Sequence, residues 1–116
     1  SDKVASVRYP SLPGDPYHEL AEKYLPNGSC GVVSFELAGG REAAERFMAA
    51  LKIAAIETHV ADARTCCLHP ASSTHRQMTD DELVAAGISP AMVRMSCGLE
   101  GTDDLVADIA QALEQA

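Results

Sequence analysis

Val33, Phe35 and Leu37 are apolar and the residues between them, Ser34 and Glu36, are polar. Two glycines later, at Gly39-Gly40, the apolar spacing changes: Ala43, Ala44, Phe47, Met48 and Leu51 recur at every third or fourth position. A period of two places alternate side chains on one face of a strand, whereas a period near 3.6 gathers them on one stripe of a helix. This stretch therefore predicts a half-buried strand that turns sharply into an amphipathic helix. Each element must hide its apolar face against another element.

The same two signals recur along the chain. Val4 to Tyr9 alternates like a strand and stops at Pro10. Asp15-Pro16 has the residues of a helix start, Asp as N-cap and Pro at the first helical position. Tyr17, Leu20, Ala21, Tyr24 and Leu25 then supply the apolar stripe of the helix, and Pro26-Asn27-Gly28 ends it. Ile53–Val60 and Thr65–His69 read as two short strands around an Ala61–Arg64 turn. Thr79 and Glu82 form a capping box for a brief helix ending at Gly87. Met92–Cys97 is the last strand. Thr102-Asp103-Asp104 opens the final helix, with acidic groups at the positive end of the dipole and Leu105, Val106, Ile109 and Leu113 as its buried face. About five short strands and four helices, with no internal repeat, predict an α+β fold in one domain over residues 1–116. It is a two-layer sandwich: a mainly antiparallel sheet of four to five strands with helices on one face.

At 116 residues the chain can bury a single core, and its 47% apolar content lies in the globular range. Its net charge of -8, with only nine Lys and Arg, provides no basic footprint for nucleic acid or for an anionic membrane surface. No apolar run approaches the length of a membrane span. Ser1–Val4 lacks the apolar segment of a secretory signal, so a cytoplasmic location is expected. The four cysteines, Cys30, Cys66, Cys67 and Cys97, form no C-x-x-C and read as reduced core residues.

Three places carry groups suited to chemistry. The loop His69-Pro70-Ala71-Ser72-Ser73-Thr74-His75 is rich in hydroxyl and imidazole groups, although Ser, Thr and Pro are also ordinary turn residues. Arg94 stands within the last strand, where Val93, Met95 and Cys97 share one face and Met92, Arg94 and Ser96 the other. A guanidinium there can anchor a carboxylate through two parallel hydrogen bonds, or can simply lie along a solvated face. Cys66, Cys67, His69 and His75 offer soft ligands within ten residues, but their spacing matches no zinc motif, and no metal is assigned. There is no phosphate-binding glycine loop, no H-E-x-x-H and no G-x-S-x-G.

Read in order, several segments resemble one family. They are Tyr9-Pro10-x-Leu12 with Pro16-x-His18-Glu19-Leu20-Ala21, and Ser34-Phe35-Glu36-Leu37-x-Gly39-Gly40. His69-Pro70-Ala71-Ser72-x-Thr74-His75 and Val93-Arg94-x-Ser96-x-Gly98-x-Glu100 complete the set. Together they resemble the C-terminal domain of the Cys/Met-metabolism enzymes that use pyridoxal 5'-phosphate (PLP), fold type I. Val60–Arg64 and Ser72–Gln77 look more like O-acetylhomoserine sulfhydrylases than methionine γ-lyases or cystathionine γ-synthases. The resemblance implies that Arg94 binds the α-carboxylate of O-acetylhomoserine, with Ser72 in the loop facing that carboxylate. It also implies a parent reaction in which sulfide replaces acetate to give homocysteine, in an enzyme that is usually a tetramer.

In that family the lysine and the other groups holding PLP belong to an upstream domain, outside residues 1–116. Lys3, Lys23 and Lys52 are poor substitutes: the first is terminal and the others fall on polar sides of predicted helices. The expectation is a substrate-binding domain with no catalytic residue and no cofactor site of its own. A stand-alone small-molecule-binding regulatory module is the alternative of another class.

Overall fold

The computed structural model describes all 116 residues. The elements are β1 (Val4–Arg8), α1 (His18–Tyr24), β2 (Val32–Leu37), α2 (Gly40–Ala50), β3 (Ala55–Ile56), β4 (Cys66–Leu68), α3 (Asp80–Ala85), β5 (Met92–Ser96) and α4 (Thr102–Glu114). A single 3-10 turn, Pro70–Ser72, follows β4. The five strands form one sheet in the order β1-β2-β5-β4-β3. All neighbours are antiparallel except β3 and β4. Helices α2 and α4 pack against each other, and α2 lies on β2 and β5. This is the two-layer α+β arrangement that the alternation of periods requires.

The core lies between the sheet and α2, where Phe35, Leu37, Ala43, Ala44, Phe47, Met48, Val93, Met95 and Ala112 are buried together. Phe35 and Phe47 meet edge-to-face with ring centroids 5.4 Å apart, a geometry set by the quadrupoles of the rings. The apolar stripes of β2 and α2 thus face each other. The capping box is present: Thr79 Oγ1 accepts from the Glu82 N–H at 3.3 Å, and the Thr79 N–H donates to Glu82 Oε2 at 2.7 Å.

Five expectations need correction. Asp15 does not cap α1, whose N-cap is Tyr17. Its carboxylate instead accepts from the Tyr9 and Tyr17 N–H groups at 3.1 and 2.9 Å, closing the turn before the helix. The apolar stripe of α1 is not buried, since Tyr17, Leu20, Tyr24 and Leu25 are all exposed. On α4, Ile109 and Leu113 pack against the core as expected, but Val106 is exposed, and Asp108 and Ala112 are the most deeply buried residues. Of the cysteines, Cys66 and Cys67 are core residues but Cys30 and Cys97 are exposed.

The strand expected over Ile53–Val60 shrinks to Ala55–Ile56. Before it, the Lys52, Ile53 and Ala54 N–H groups all donate to the buried carboxylate of Asp108 at 2.8–3.0 Å. After it, Ala61 takes a left-handed φ of 59°, and its N–H donates to Ser96 Oγ at 3.0 Å. The ends of this segment bond to side chains from α4 and β5 rather than to a strand ladder, so the sheet pairing is short.

Candidate functional site

Alternation along β5 sends Val93 and Met95 into the helix-side core and Arg94 to the opposite face of the sheet. There the guanidinium is half-buried. Its Nη2 donates to the carbonyl oxygens of Thr58 and His59, at 2.8 and 3.4 Å. Its Nε is buried with no hydrogen-bond partner. A buried N–H without an acceptor costs roughly 1–3 kcal/mol and is more so for a charged group. Two backbone carbonyls therefore orient the plane of the guanidinium while a charged donor stays unmatched.

The segment that holds Arg94 is itself positioned from β5 and the residues just after it. Ser96 pins Ala61 in its left-handed turn. Glu100 accepts from the Thr65 N–H at 2.6 Å and from the Thr65 hydroxyl at 2.8 Å. The Gly98 N–H donates to Thr65 Oγ1 at 2.8 Å. These bonds hold the Glu100 carboxyl below the usual carboxylate range; the Thr65 N–H makes the largest contribution. A Cβ at Gly98 would stand 2.4 Å from the Arg64 carbonyl carbon and the Thr65 nitrogen. The run Ser96-x-Gly98-x-Glu100 is thus a brace for residues 57–65, and sequence reasoning missed that role. No local signal marks it, because the partners lie about 35 residues away in the chain.

The His69–His75 loop is built differently. His69 is buried at the end of β4, and its Nε2 lies 2.8 Å from the Pro90 carbonyl oxygen. A carbonyl only accepts, so Nε2 carries a proton. Nδ1 lies 2.8 Å from Ser72 Oγ, and in the neutral ring it accepts from that hydroxyl. Ser72 is exposed and lines a shallow depression with Met48, Ala49, His69 and Ser73. Its hydroxyl is directed toward His69, while Arg94 projects from the other face of the sheet; the fold does not join these two side chains. Arg41, also unforeseen, straps the loop to α3 by donating to the Ala71 carbonyl at 3.1 Å and to Asp80.

The ligand set weighed from sequence, Cys66, Cys67, His69 and His75, is not assembled. Burial pushes the Cys67 thiol up to about 12, and His69 is occupied by Ser72 and Pro90. The lysines that could bond PLP covalently all lie at the surface of this chain. Lys3, Lys23 and Lys52 are all exposed; Lys3 Nζ donates to the Ala116 carbonyl at 3.2 Å, and Lys23 stands over the Tyr24 ring. None has the desolvated or cation-flanked setting that makes a lysine a nucleophile at neutral pH. No helix is long and apolar enough to cross a membrane.

The fold is an α+β domain that holds Arg94 on the sheet face away from its helices. Comparison with known proteins gives its family. Residues 1–114 match the family of Cys/Met metabolism PLP-dependent enzymes, and the chain belongs to it. It is 47% identical over 111 residues to O-acetyl-L-homoserine sulfhydrylase 1 of Thermus thermophilus, covering 96% of this chain and 26% of that protein. It is 44% identical to the homocysteine synthase of Schizosaccharomyces pombe, covering 98% of this chain and 27% of that one. A crystal structure from Campylobacter jejuni, described as an O-acetylhomoserine (thiol)-lyase with N'-pyridoxyl-lysine-5'-monophosphate, superposes with a TM-score of 0.86 at 39% identity. The match covers 97% of this chain and 27% of that one. The chain spans about a quarter of the length of these relatives.

Proposed function

We propose that this chain is the C-terminal, substrate-carboxylate-binding domain of a PLP-dependent O-acetylhomoserine sulfhydrylase. The parent enzyme would convert O-acetylhomoserine and sulfide to homocysteine and acetate, and an upstream domain would supply PLP and its lysine. Arg94 is the α-carboxylate anchor. The observation that carries this reading is the buried, unpartnered Nε of Arg94 beside an Nη2 already fixed by the Thr58 and His59 carbonyls. Ser72 is the second proposed substrate-side residue; because its hydroxyl is turned to His69 on the other side of the sheet from Arg94, its role would be exerted through its exposed loop and not by sharing the carboxylate held by Arg94.

The exposed stripe of α1 supports the same reading. Tyr17, Leu20, Tyr24 and Leu25 have helical spacing yet meet no core within this chain, as expected of a face covered by the rest of a longer polypeptide or by another subunit. In the assembled enzyme, taken to be a homo-oligomer of the tetrameric type, that stripe would be buried. The likeness to a protein named as an O-acetyl-L-homoserine sulfhydrylase, at 47% identity, supports a sulfhydrylase over the L-methionine gamma-lyase of Fusobacterium nucleatum, which is 41% identical.

Two measurements on the 116-residue chain test the proposal. The Nε–H resonance of Arg94 should shift on addition of O-acetylhomoserine and stay in place with its methyl ester, which lacks the carboxylate charge. A shift of equal size with the ester would remove the carboxylate assignment. Mixing the chain with PLP and reducing with borohydride should label no single lysine stoichiometrically. Stoichiometric labelling of Lys3, Lys23 or Lys52 would show that the chain holds the cofactor itself.

A further inference from the structure

We propose that Glu57, His59 and Cys66 form a site for one thiophilic divalent cation, zinc being the type it suits. The parallel pairing of β3 and β4 sets Ala55 opposite Cys66 and Ile56 opposite Cys67, so the chain leaves β3 at Glu57 beside the end of β4, and alternation returns the Glu57 side chain to the face that carries Cys66. One ligand atom from each of Glu57, His59 and Cys66 lies within 4.8 Å of the other two, and no other His, Cys, Asp or Glu residues in the chain gather in this way. His59 Nδ1 is already 2.9 Å from Glu57 Oε2. The donors are a carboxylate oxygen, an imidazole nitrogen and a sulfur, the mixed set that zinc accepts with a fourth position left for water.

The surroundings carry charges of both signs, arranged so that one Glu57 oxygen faces the site. Arg64 Nη2 holds the other oxygen of Glu57, Oε1, at 2.9 Å, leaving Oε2 for the ligand sphere. Asp62 Oδ2 stands 3.5 Å from His59 Nδ1 and adds negative charge beside the site. The Cys66 sulfur is fully buried, and its thiol meets only the Arg64 carbonyl at 3.4 Å, whereas His59 is mostly exposed and Glu57 partly so. Entry is thus open on the nitrogen and oxygen side and closed on the sulfur side. Binding replaces the S–H bond with a sulfur–metal bond and releases one proton to solvent, without any change of oxidation state. Desolvation raises the Cys66 thiol in the metal-free chain, and the cation's charge would reverse that preference. The site shares its backbone with the anchor, since the Thr58 and His59 carbonyls hold Arg94.

The test is a titration of the metal-free 116-residue chain with Co2+, followed by Zn2+. The expected result is one equivalent of Co2+ with a thiolate-to-cobalt charge-transfer band, which Zn2+ displaces. Cys66→Ala should remove the band, and a Cys30→Ser/Cys97→Ser double variant, altering only the exposed thiols, should keep it. His59→Ala and Glu57→Gln lie outside the core and should each weaken binding by at least about ten-fold; they decide the matter if Cys66→Ala fails to fold. Absence of the band in the unaltered chain, its loss in the Cys30/Cys97 double variant, or full affinity in both His59→Ala and Glu57→Gln would overturn the proposal.

Discussion

Gly98→Ala is expected to destabilise the chain by about 3 kcal/mol, lowering its melting temperature by roughly 10 °C. The added Cβ would sit 2.4 Å from two backbone atoms, the Arg64 carbonyl carbon and the Thr65 nitrogen, and 2.5 Å from the Ala63 carbonyl oxygen. Backbone cannot rotate aside as a flexible side chain would. Either β5 must part from the turn before β4, or the Thr65–Glu100 and Gly98–Thr65 hydrogen bonds must break. Both outcomes release the 57–65 segment on which Arg94 rests. Gly14→Ala is the control, since its Cβ would meet nothing within 4 Å, and it should change stability by no more than about 0.5 kcal/mol. Thermal melts of the two variants beside the unaltered chain check this directly.

Asp108→Ala is expected to cost about as much, roughly 3 kcal/mol or more, by a different route. Asp108 is 4% exposed, and its two oxygens accept from the Lys52, Ile53 and Ala54 N–H groups and from Gln111 Nε2. Removing the carboxylate orphans three backbone donors where α2 gives way to β3. The same site carries a pH dependence. Burial alone would raise the carboxyl, but the three backbone donors and Gln111 together outweigh it, and the group lies below its ordinary value of 3.8. A carboxyl lowered on folding stabilises the native state above its unfolded pKa and loses that contribution as pH falls through the folded value. The stability gap between the unaltered chain and Asp108→Asn should therefore be constant near neutrality and narrow below about pH 4. Denaturant titrations of both proteins across that range would show it; a gap that widens on acidification would contradict the assignment.

The sequence made the layers legible because they rest on local periodicity. Phe35, Leu37, Phe47 and Met48 meet in the core as their spacings require, and the Thr79–Glu82 capping box is closed. What it hid depends on contacts between distant residues. Asp108 reads as a polar-face residue of α4, and only the 52–54 turn, some 55 residues away, explains why it is buried. The stripe of α1 satisfies the same pattern as that of α2 but finds nothing to cover it here. Periodicity reports that a face is apolar, not which molecule supplies its partner. At the site, Arg94 was legible as a strand arginine, but its orientation by the Thr58 and His59 carbonyls was not. Nor did any pattern indicate that Ser96, Gly98 and Glu100 shape the loop bearing those carbonyls. For Ser72 the loop itself was legible, and the hydrogen bond that turns its hydroxyl toward His69 was not.

The role proposed for Arg94 is to anchor the substrate carboxylate in a sulfhydrylase whose cofactor is held elsewhere. Steady-state kinetics of the complete enzyme carrying Arg94→Lys test it most directly. A lysine keeps the charge but loses the planar fork. Truncating one partner of a desolvated, hydrogen-bonded ion pair costs about 2–5 kcal/mol. For Arg94→Lys a KM for O-acetylhomoserine raised by about 100-fold or less is expected, and for Arg94→Ala a larger rise. The KM for sulfide should hardly change, and Ser72→Ala should have a smaller effect than either. An O-acetylhomoserine KM unchanged in both Arg94 variants would contradict it.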